Sequence, residues 1–200
     1  MRGQTTVVWL TCLLGACAPD LREDYPFDGD LPDGDYVTFQ ALEGGVEEGR
    51  VNAGQPESWV FVDLDGRRQV PGSEAIGTVG WDLGFQRFKI ISNSGVSGVG
   101  PLEVAILPGA DFSTLTQAPT GGYQVDAADG PDSNSEVDSA FLIDDGWYSY
   151  DLLNHGVQPR DLVYVVHTDQ GYLALRLLAY YDEAGTAARI RFQQKALTPP

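Results

Sequence analysis

The sequence has little cysteine, methionine or positive charge. Its two cysteines, Cys12 and Cys17, lie within the first 17 of 200 residues, and Met1 is its single methionine. The rest of the chain therefore cannot form a disulfide, and a domain of this size does not need one. Twelve Lys and Arg residues stand against 29 Asp and Glu residues, which gives a formal net charge of −17. Such a surface repels phosphate backbones, so we predict no nucleic-acid partner.

Long hydrophobic runs are also missing, and the apolar stretch near the start has the features of an export signal. Arg2 precedes an apolar stretch from Val7 to Leu14 that is far too short to span a bilayer. The residues that follow, Gly15-Ala16-Cys17, resemble a bacterial lipobox. We predict a lipoprotein signal peptide over residues 1–16, with Cys17 lipid-modified and joined to the membrane. The alternative is an ordinary signal peptide cut nearby, in which Cys17 has no role.

The segment after the signal is predicted to be an acidic tether. Residues 17–35 are rich in aspartate and contain Pro26 and Pro32. Such a composition buries too little apolar surface to fold by itself. We therefore predict a flexible tether over 17–35 and one folded domain over 36–200.

Apolar runs in that domain are short and are separated by turn residues at intervals of roughly ten, which is typical of an all-β fold. We predict an antiparallel, sandwich-like single domain with little helix, whose helical signal is confined to Asp111–Gln117. The predicted strands are Tyr36–Leu42, Trp59–Asp63, Ile76–Gly80, Trp81–Ile91, Glu103–Leu107, Gly146–Asp151, Leu162–Thr168, Tyr172–Tyr181 and Arg189–Gln193.

The predicted strand from Trp81 to Ile91 changes its apolar phase. Apolar residues alternate with polar ones as far as Phe85, and the apolar positions then shift by one residue at Phe88. An extra residue in a strand moves every later side chain to the other face. We therefore predict a β-bulge near Gln86 and Arg87, followed by a Gly/Ser-rich loop.

An acidic loop is predicted over residues 126–139. Its composition, DAADGPDSNSEVDS, supplies several oxygen ligands, but it lacks the order of a helix–loop–helix calcium site. The interpretation as a solvated loop is favoured over calcium binding, and both stay open.

Three stretches resemble the HmuY family of bacterial surface lipoproteins. They are WDLGFQRFKIISNSGVSG at 81–98, GWYSYDLLNHGVQP at 146–159 and YVVHTDQGYLALRLLAYYDEAGTAARIRF at 164–192. The resemblance implies an all-β fold, a place on the outer membrane or cell surface, and the binding of haem or another porphyrin for iron acquisition, with an outer-membrane receptor as partner.

His155 and His167 are the candidate axial ligands for haem iron. They are the only histidines, and removal of the signal leaves no methionine, while haem iron needs nitrogen, sulfur or, less commonly, tyrosine oxygen. A haem between two histidines is known in the family, and the resemblance covers His155 better than His167. Each histidine also has a structural interpretation: His155 as a solvent-exposed or turn-bonding residue, and His167 as a residue of the sheet rim.

Cations are expected near the haem propionates, and the candidates are Arg160 and Arg176, with Arg87 and Lys89 as further suppliers. Tyrosines such as Tyr148, Tyr150, Tyr180 and Tyr181 can line the ring faces, although core packing explains most of them equally well.

The direction of His167 depends on the turn that follows it. A two-residue turn of Asp169 and Gln170 pairs His167 with Tyr172, whereas a three-residue turn that includes Gly171 pairs it with Leu173. Glycine in third place favours the second version.

Two functions from different classes remain beside haem binding. One is a surface binding or structural module of the same fold without a haem site, which the acidic surface favours because haem carries two carboxylates. The other is an enzyme, but the sequence contains no G-x-S-x-G or H-E-x-x-H pattern and no catalytic cysteine. We therefore predict a protein that is not an enzyme.

Overall fold

The computed structural model describes residues 36–128, 137–142 and 146–200. The predicted signal peptide, Cys17 and the tether lie outside the described residues. Within the described part of the chain, no helix is long and apolar enough to cross a membrane.

The described residues form thirteen strands, a short helix α1 (Gly72–Ala75) and a 3-10 turn (Glu43–Gly45). The strands are β1 (Val37–Ala41), β2 (Val46–Asn52), β3 (Val60–Asp63), β4 (Arg68–Val70), β5 (Leu83–Gln86), β6 (Lys89–Ser92), β7 (Glu103–Pro108), β8 (Tyr123–Gln124), β9 (Tyr148–Asp151), β10 (Gly156–Pro159), β11 (Leu162–His167), β12 (Tyr172–Tyr181) and β13 (Ala187–Leu197).

These strands form two antiparallel sheets and a hairpin. The larger sheet has the order β1-β2-β13-β12-β11-β7-β8, the smaller sheet has the order β4-β3-β5-β6, and β9 pairs with β10. The predicted all-β, sandwich-like fold is confirmed.

The main core lies between the sheets because strands of the larger sheet alternate their side chains between two faces. On β11, Tyr164 and Val166 point into the main core, where they meet residues of the smaller sheet such as Phe85. Val163 and Val165 point to the opposite face, which we call the outer face, and pack there in a second cluster. Both faces of β11 are therefore buried.

Part of the outer face is covered by the segment that joins β7 to β8. Phe112 and Ala118 of this segment belong to the second cluster. The predicted helix at 111–117 is wrong: Asp111 instead holds a turn, because its carboxylate accepts the Ser113 N–H at 2.8 Å.

The phase shift after Trp81 comes from a hairpin and not from a bulge. β5 and β6 pair with each other through Gln86 and Lys89, so Arg87 and Phe88 form a two-residue turn. Arg87 has a left-handed φ of 54°, which is common in such tight turns. Phe85 and Ile90 are opposite each other across this hairpin and both are buried, which explains why the apolar positions change phase.

The predicted strand Ile76–Gly80 is also wrong, because these residues form a turn after α1.

Strand β2 was not predicted from the sequence, because its alternation of apolar and polar residues is hidden. Gly49 occupies a buried position there, and a Cβ at this residue would overlap the ring of Phe192. Phe192 thus fills the space that an apolar side chain of β2 would otherwise take. The short strands β4, β8 and β10 were also missed.

Candidate functional site

The β9–β10 hairpin carries the first candidate ligand, His155, in its turn. Asp151 holds this turn, because its carboxylate accepts the Leu153 N–H at 2.8 Å and the Asn154 side-chain N–H at 2.7 Å. The same hydrogen bonds lower the pKa of the Asp151 carboxyl. His155 ends the turn with a left-handed φ of 54°.

The imidazole of His155 is solvent-exposed and is held at one nitrogen. Its Nδ1 is hydrogen-bonded to the Tyr150 hydroxyl at 2.8 Å. No described residue hydrogen-bonds its Nε2. Histidines that bind metals are usually oriented by a partner on the second ring nitrogen, so this arrangement suits a metal ligand.

Exposed apolar side chains surround His155. Leu152 and Leu153 are 79% and 90% exposed, and Tyr150 is also exposed. We call Tyr150, Leu152, Leu153 and His155 the hairpin tip. Contiguous exposed apolar residues commonly mark interaction sites. His155 was identified from the sequence, but Leu152 and Leu153 were not. Their position beside Asn154 and His155, between turn-forming residues, was the signal that could have identified them.

The base of the hairpin is fixed to the core. Trp147 is buried, and its indole N–H donates to the Phe88 carbonyl at 2.8 Å. The Val157 N–H donates to the Tyr181 hydroxyl at 3.1 Å. Tyr148 packs against Phe88 with 5.6 Å between ring centroids. The exposed tip therefore projects from an anchored base.

His167 has a different environment, at the end of β11 on the outer face. It pairs with Tyr172, so the version favoured from the sequence, with Leu173 opposite, is wrong. The Thr168 N–H donates to the Gly171 carbonyl at 2.8 Å, which leaves Asp169 and Gln170 as the central turn residues. The imidazole stacks on Tyr172 at 4.2 Å between centroids, with 6° between the planes, and its Nδ1 lies 3.2 Å from Glu103 Oε2.

The structure does not bring the two histidines together. His167 pairs with Tyr172 at the start of β12, whereas the hairpin of His155 is bonded to Tyr181 at its end. Nine residue steps of a strand span roughly 30 Å. The two imidazoles therefore do not face a common iron in this structure.

The propionate candidates are also dispersed. Arg176 lies on the outer face, where its guanidinium covers the Phe112 ring at 4.5 Å and binds Gln193 Oε1 at 2.7 Å. Arg160 is nearer the hairpin, since its N–H donates to the Trp147 carbonyl at 2.8 Å. Arg87 lies close to Tyr180, near the end of β12 to which the hairpin is bonded. Burial raises the pKa of Tyr180, and the positive charge of Arg87 opposes that shift.

The acidic loop is described only in part, because residues 129–136 lie outside the described residues. Asp126 is buried and serves as a structural acceptor, with the Ser92 N–H at 2.9 Å and the Ala140 N–H at 3.0 Å. Among the described residues, no cluster of three or more His, Cys, Asp or Glu side chains could hold a metal ion.

Comparison with solved structures shows the same fold in proteins of low sequence identity. A proposed lipoprotein from Bacteroides fragilis matches with a TM-score of 0.61 and 19% identity, over 83% of this chain and 97% of that chain. A proposed HmuY-like heme-binding protein from Bacteroides vulgatus matches with a TM-score of 0.59 and 17% identity, over 80% and 97% of the two chains. The apo HmuY analog of Tannerella forsythia gives 0.58 and 16%, over 82% and 98%.

Sequence comparison supplies the family. No curated protein matches the chain. The family model described as HmuY protein matches residues 55–193, which is more than half of the chain. The match includes the smaller sheet, the larger sheet without β1 and β2, the β9–β10 hairpin and the two histidines. This chain is therefore a member of the HmuY family.

Proposed function

We propose that the protein is a lipid-anchored surface protein that binds haem at the hairpin tip, with His155 as its histidine ligand. The observation that carries this proposal is the exposed imidazole of His155 beside the exposed Leu152 and Leu153. Membership of the HmuY family and the resemblance to a proposed heme-binding protein support it.

The side chains of the tip fit such a ligand. Haem supplies an iron with axial positions open to a protein nitrogen. Nε2 of His155 is available to it, while Tyr150 holds Nδ1 at 2.8 Å and so orients the ring. Leu152 and Leu153 would lose exposed apolar surface against the porphyrin, which favours binding.

The predicted signal peptide and the predicted lipid on Cys17 support a position of this site outside the cell. A lipid on Cys17 would hold the domain at the outer membrane through the tether 17–35, and the domain would pass haem to an outer-membrane receptor. Metabolic labelling with palmitate tests the anchor, with Cys17→Ala as the control. The unchanged chain is expected to incorporate the label, and the variant is expected to incorporate none.

A hemin titration of the purified protein tests the site. We expect a saturable Soret shift, an affinity at least tenfold lower in His155→Ala, and an unchanged affinity in His167→Ala. His167 is the matched control because its imidazole lies at the other end of β12. A protein with no saturable shift, or one in which His155→Ala binds as tightly as the unchanged chain, contradicts the proposal.

The second candidate function is a surface binding module that keeps the fold and has no haem site. The separation of the two histidines along β12 favours it, because no second imidazole stands opposite His155 in the described structure. Absence of a saturable Soret shift in the same titration is the outcome that this module predicts.

A further inference from the structure

A cavity of about 360 Å³ lies on the outer face of the larger sheet, where β1, β2, β13 and the end of β12 meet. Its size is at the lower end of the range for small-molecule sites. It is separate from the covered part of the outer face around Phe112. We call it the arginine cavity after three residues that line it, Arg50, Arg189 and Arg191.

Alternation along the strands places these arginines together. Ile190 and Phe192 of β13 point into the main core, so Arg189 and Arg191 point to the outer face. Arg50 of β2 is directly opposite Arg191 in the strand register. Like charges at directly opposite positions destabilise a sheet, unless an anion lies between them.

The two acids that line the cavity lie at long ion-pair distances from these arginines. Asp182 is bound to its own loop, because its Oδ1 accepts the Thr186 N–H at 2.7 Å, and its Oδ2 lies 3.9 Å from Arg189. Glu183 is 75% exposed and lies 3.7 Å from Arg50 and 3.9 Å from Arg191. These distances are too long for hydrogen bonds, and exposed ion pairs contribute little.

Arg191 in particular has an unused donor. Its Nε is buried and has no hydrogen-bond partner among the described residues. Arg50 is already paired with Glu48, whose Oε1 accepts a hydrogen bond from its Nε at 3.0 Å and lies 2.9 Å from its Nη2, so only the Nη1 side of Arg50 is turned toward Glu183. A buried guanidinium donor without an acceptor is costly, and a carboxylate matches its planar fork.

We propose that the arginine cavity binds a small organic molecule with two carboxylate groups. One carboxylate lies between Arg50 and Arg191, and the other reaches Arg189. Arg189 and Arg191 are two residues apart on one strand, a distance of roughly 7 Å. Tyr36 and Tyr181 line the same cavity and pack against the body of the molecule. Haem bound at the hairpin tip is not required for this site.

Calorimetric titration of the purified protein with succinate, acetate and inorganic phosphate tests the proposal. We expect saturable binding of succinate, with at least tenfold weaker binding of acetate and of phosphate. Arg191→Gln is expected to weaken succinate binding at least tenfold, and Arg191→Lys to weaken it less, because lysine keeps the charge but loses the planar fork. Arg67→Gln, a surface arginine outside the cavity, is the matched control and keeps the affinity.

Two outcomes overturn the proposal. One is the absence of saturable succinate binding, or equal succinate affinity in Arg191→Gln and the unchanged chain, when thermal unfolding shows both to be folded. The other is equal affinity for succinate and phosphate, which would indicate a general anion site. Hemin titration of Arg191→Gln separates this site from the proposed haem site, since hemin affinity should be unchanged.

Discussion

The two ends of β12 differ in charge and in the way their side chains are used. At the Tyr172 end, the carboxylates of Asp63, Asp65, Asp82 and Asp169 lie close enough to act on one another's charge. At the Tyr181 end lie the arginine cavity and the anchored base of the hairpin. We call these the acidic end and the arginine end.

This difference shows how a strongly acidic chain can still gather positive charge in one part of its surface. The arginine end gathers three of the twelve basic residues of the sequence in one cavity. At the acidic end, by contrast, His167 is held in the sheet by its stacking on Tyr172 and by Glu103. Histidine is therefore a structural residue at one end of β12, whereas His155 at the other end is exposed to a ligand.

The largest expected effect is at the acidic end. Burial raises the pKa of Asp82 to about 7, although the Leu64 N–H donates to its carboxylate at 2.7 Å. Below the unfolded pKa of 3.8 the group is protonated in both states. As the pH rises to 7, the unfolded chain releases this proton while the folded chain keeps it, so the free energy of unfolding falls by up to about 4 kcal/mol.

Replacing Asp82 by Asn should remove this loss. Urea unfolding at pH 4.5, 6 and 8 should show Asp82→Asn gaining stability over the unchanged chain as the pH rises. Asp151→Asn is the control at the hairpin: its pKa is lowered, so its stabilising contribution falls only at low pH and the variant should show no gain from pH 6 to 8. If the difference in the free energy of unfolding between Asp82→Asn and the unchanged chain does not change with pH, the raised pKa of Asp82 is refuted.

The next largest effect concerns the exposed leucines of the hairpin tip. Replacing Leu152 and Leu153 together by Ser should weaken hemin binding by roughly tenfold to a hundredfold, because their contact with the porphyrin is lost. The free energy of unfolding should hardly change, since both side chains are exposed. Val79→Ser, another exposed apolar residue, is the control for the titration. Equal hemin affinity in the double variant and the control would show that the porphyrin binds elsewhere.

A smaller effect is expected from the stacked pair at the acidic end. Tyr172→Ala removes the ring that stacks on His167 at 4.2 Å, and should lower the free energy of unfolding by about 1 kcal/mol beyond the loss of buried area. Double-mutant cycles with His167→Ala measure this coupling. A coupling of zero between the two positions would mean that the stack contributes nothing to stability.

The smallest effect is expected at His155 itself. Its φ of 54° is strained for a residue with a Cβ, so His155→Gly should have a free energy of unfolding about 0.5 kcal/mol higher than His155→Ala, after the entropy cost of glycine. Both variants lose the hydrogen bond to Tyr150, so chemical denaturation of the two isolates the backbone strain. If the glycine variant is no more stable than the alanine variant, the left-handed backbone of residue 155 does not limit the stability of the turn.

The strands could be predicted where apolar alternation is uninterrupted. β12 has the predicted bounds Tyr172–Tyr181, because its leucines and alanines alternate between two buried faces. The alternation from Trp81 onwards was recognised, but a hairpin and a bulge both reverse the apolar phase. A single sequence does not separate these two interpretations, because Arg87 is not a typical residue for a tight turn.

The candidate site was predicted less fully than the fold. His155 was identified as a loop histidine because turn residues surround it. The predicted direction of the His167 side chain was wrong, because it depends on whether the turn that follows has two or three residues. The arginine cavity could not be predicted, since it requires β2 to pair with β13 across about 140 residues of sequence, and local patterns contain no information on that pairing.

The position of β13 in the larger sheet has a consequence for the order of folding. This strand comes last in the sequence, yet it lies between β2 and β12 and pairs with both. Contacts between residues so far apart in sequence form slowly, because a long loop must close before they stabilise the chain. The smaller sheet and the β9–β10 hairpin can form without β13, but the larger sheet cannot be complete before this strand is available. A partial chain that lacks β13 would therefore leave the inner edges of β2 and β12 unpaired.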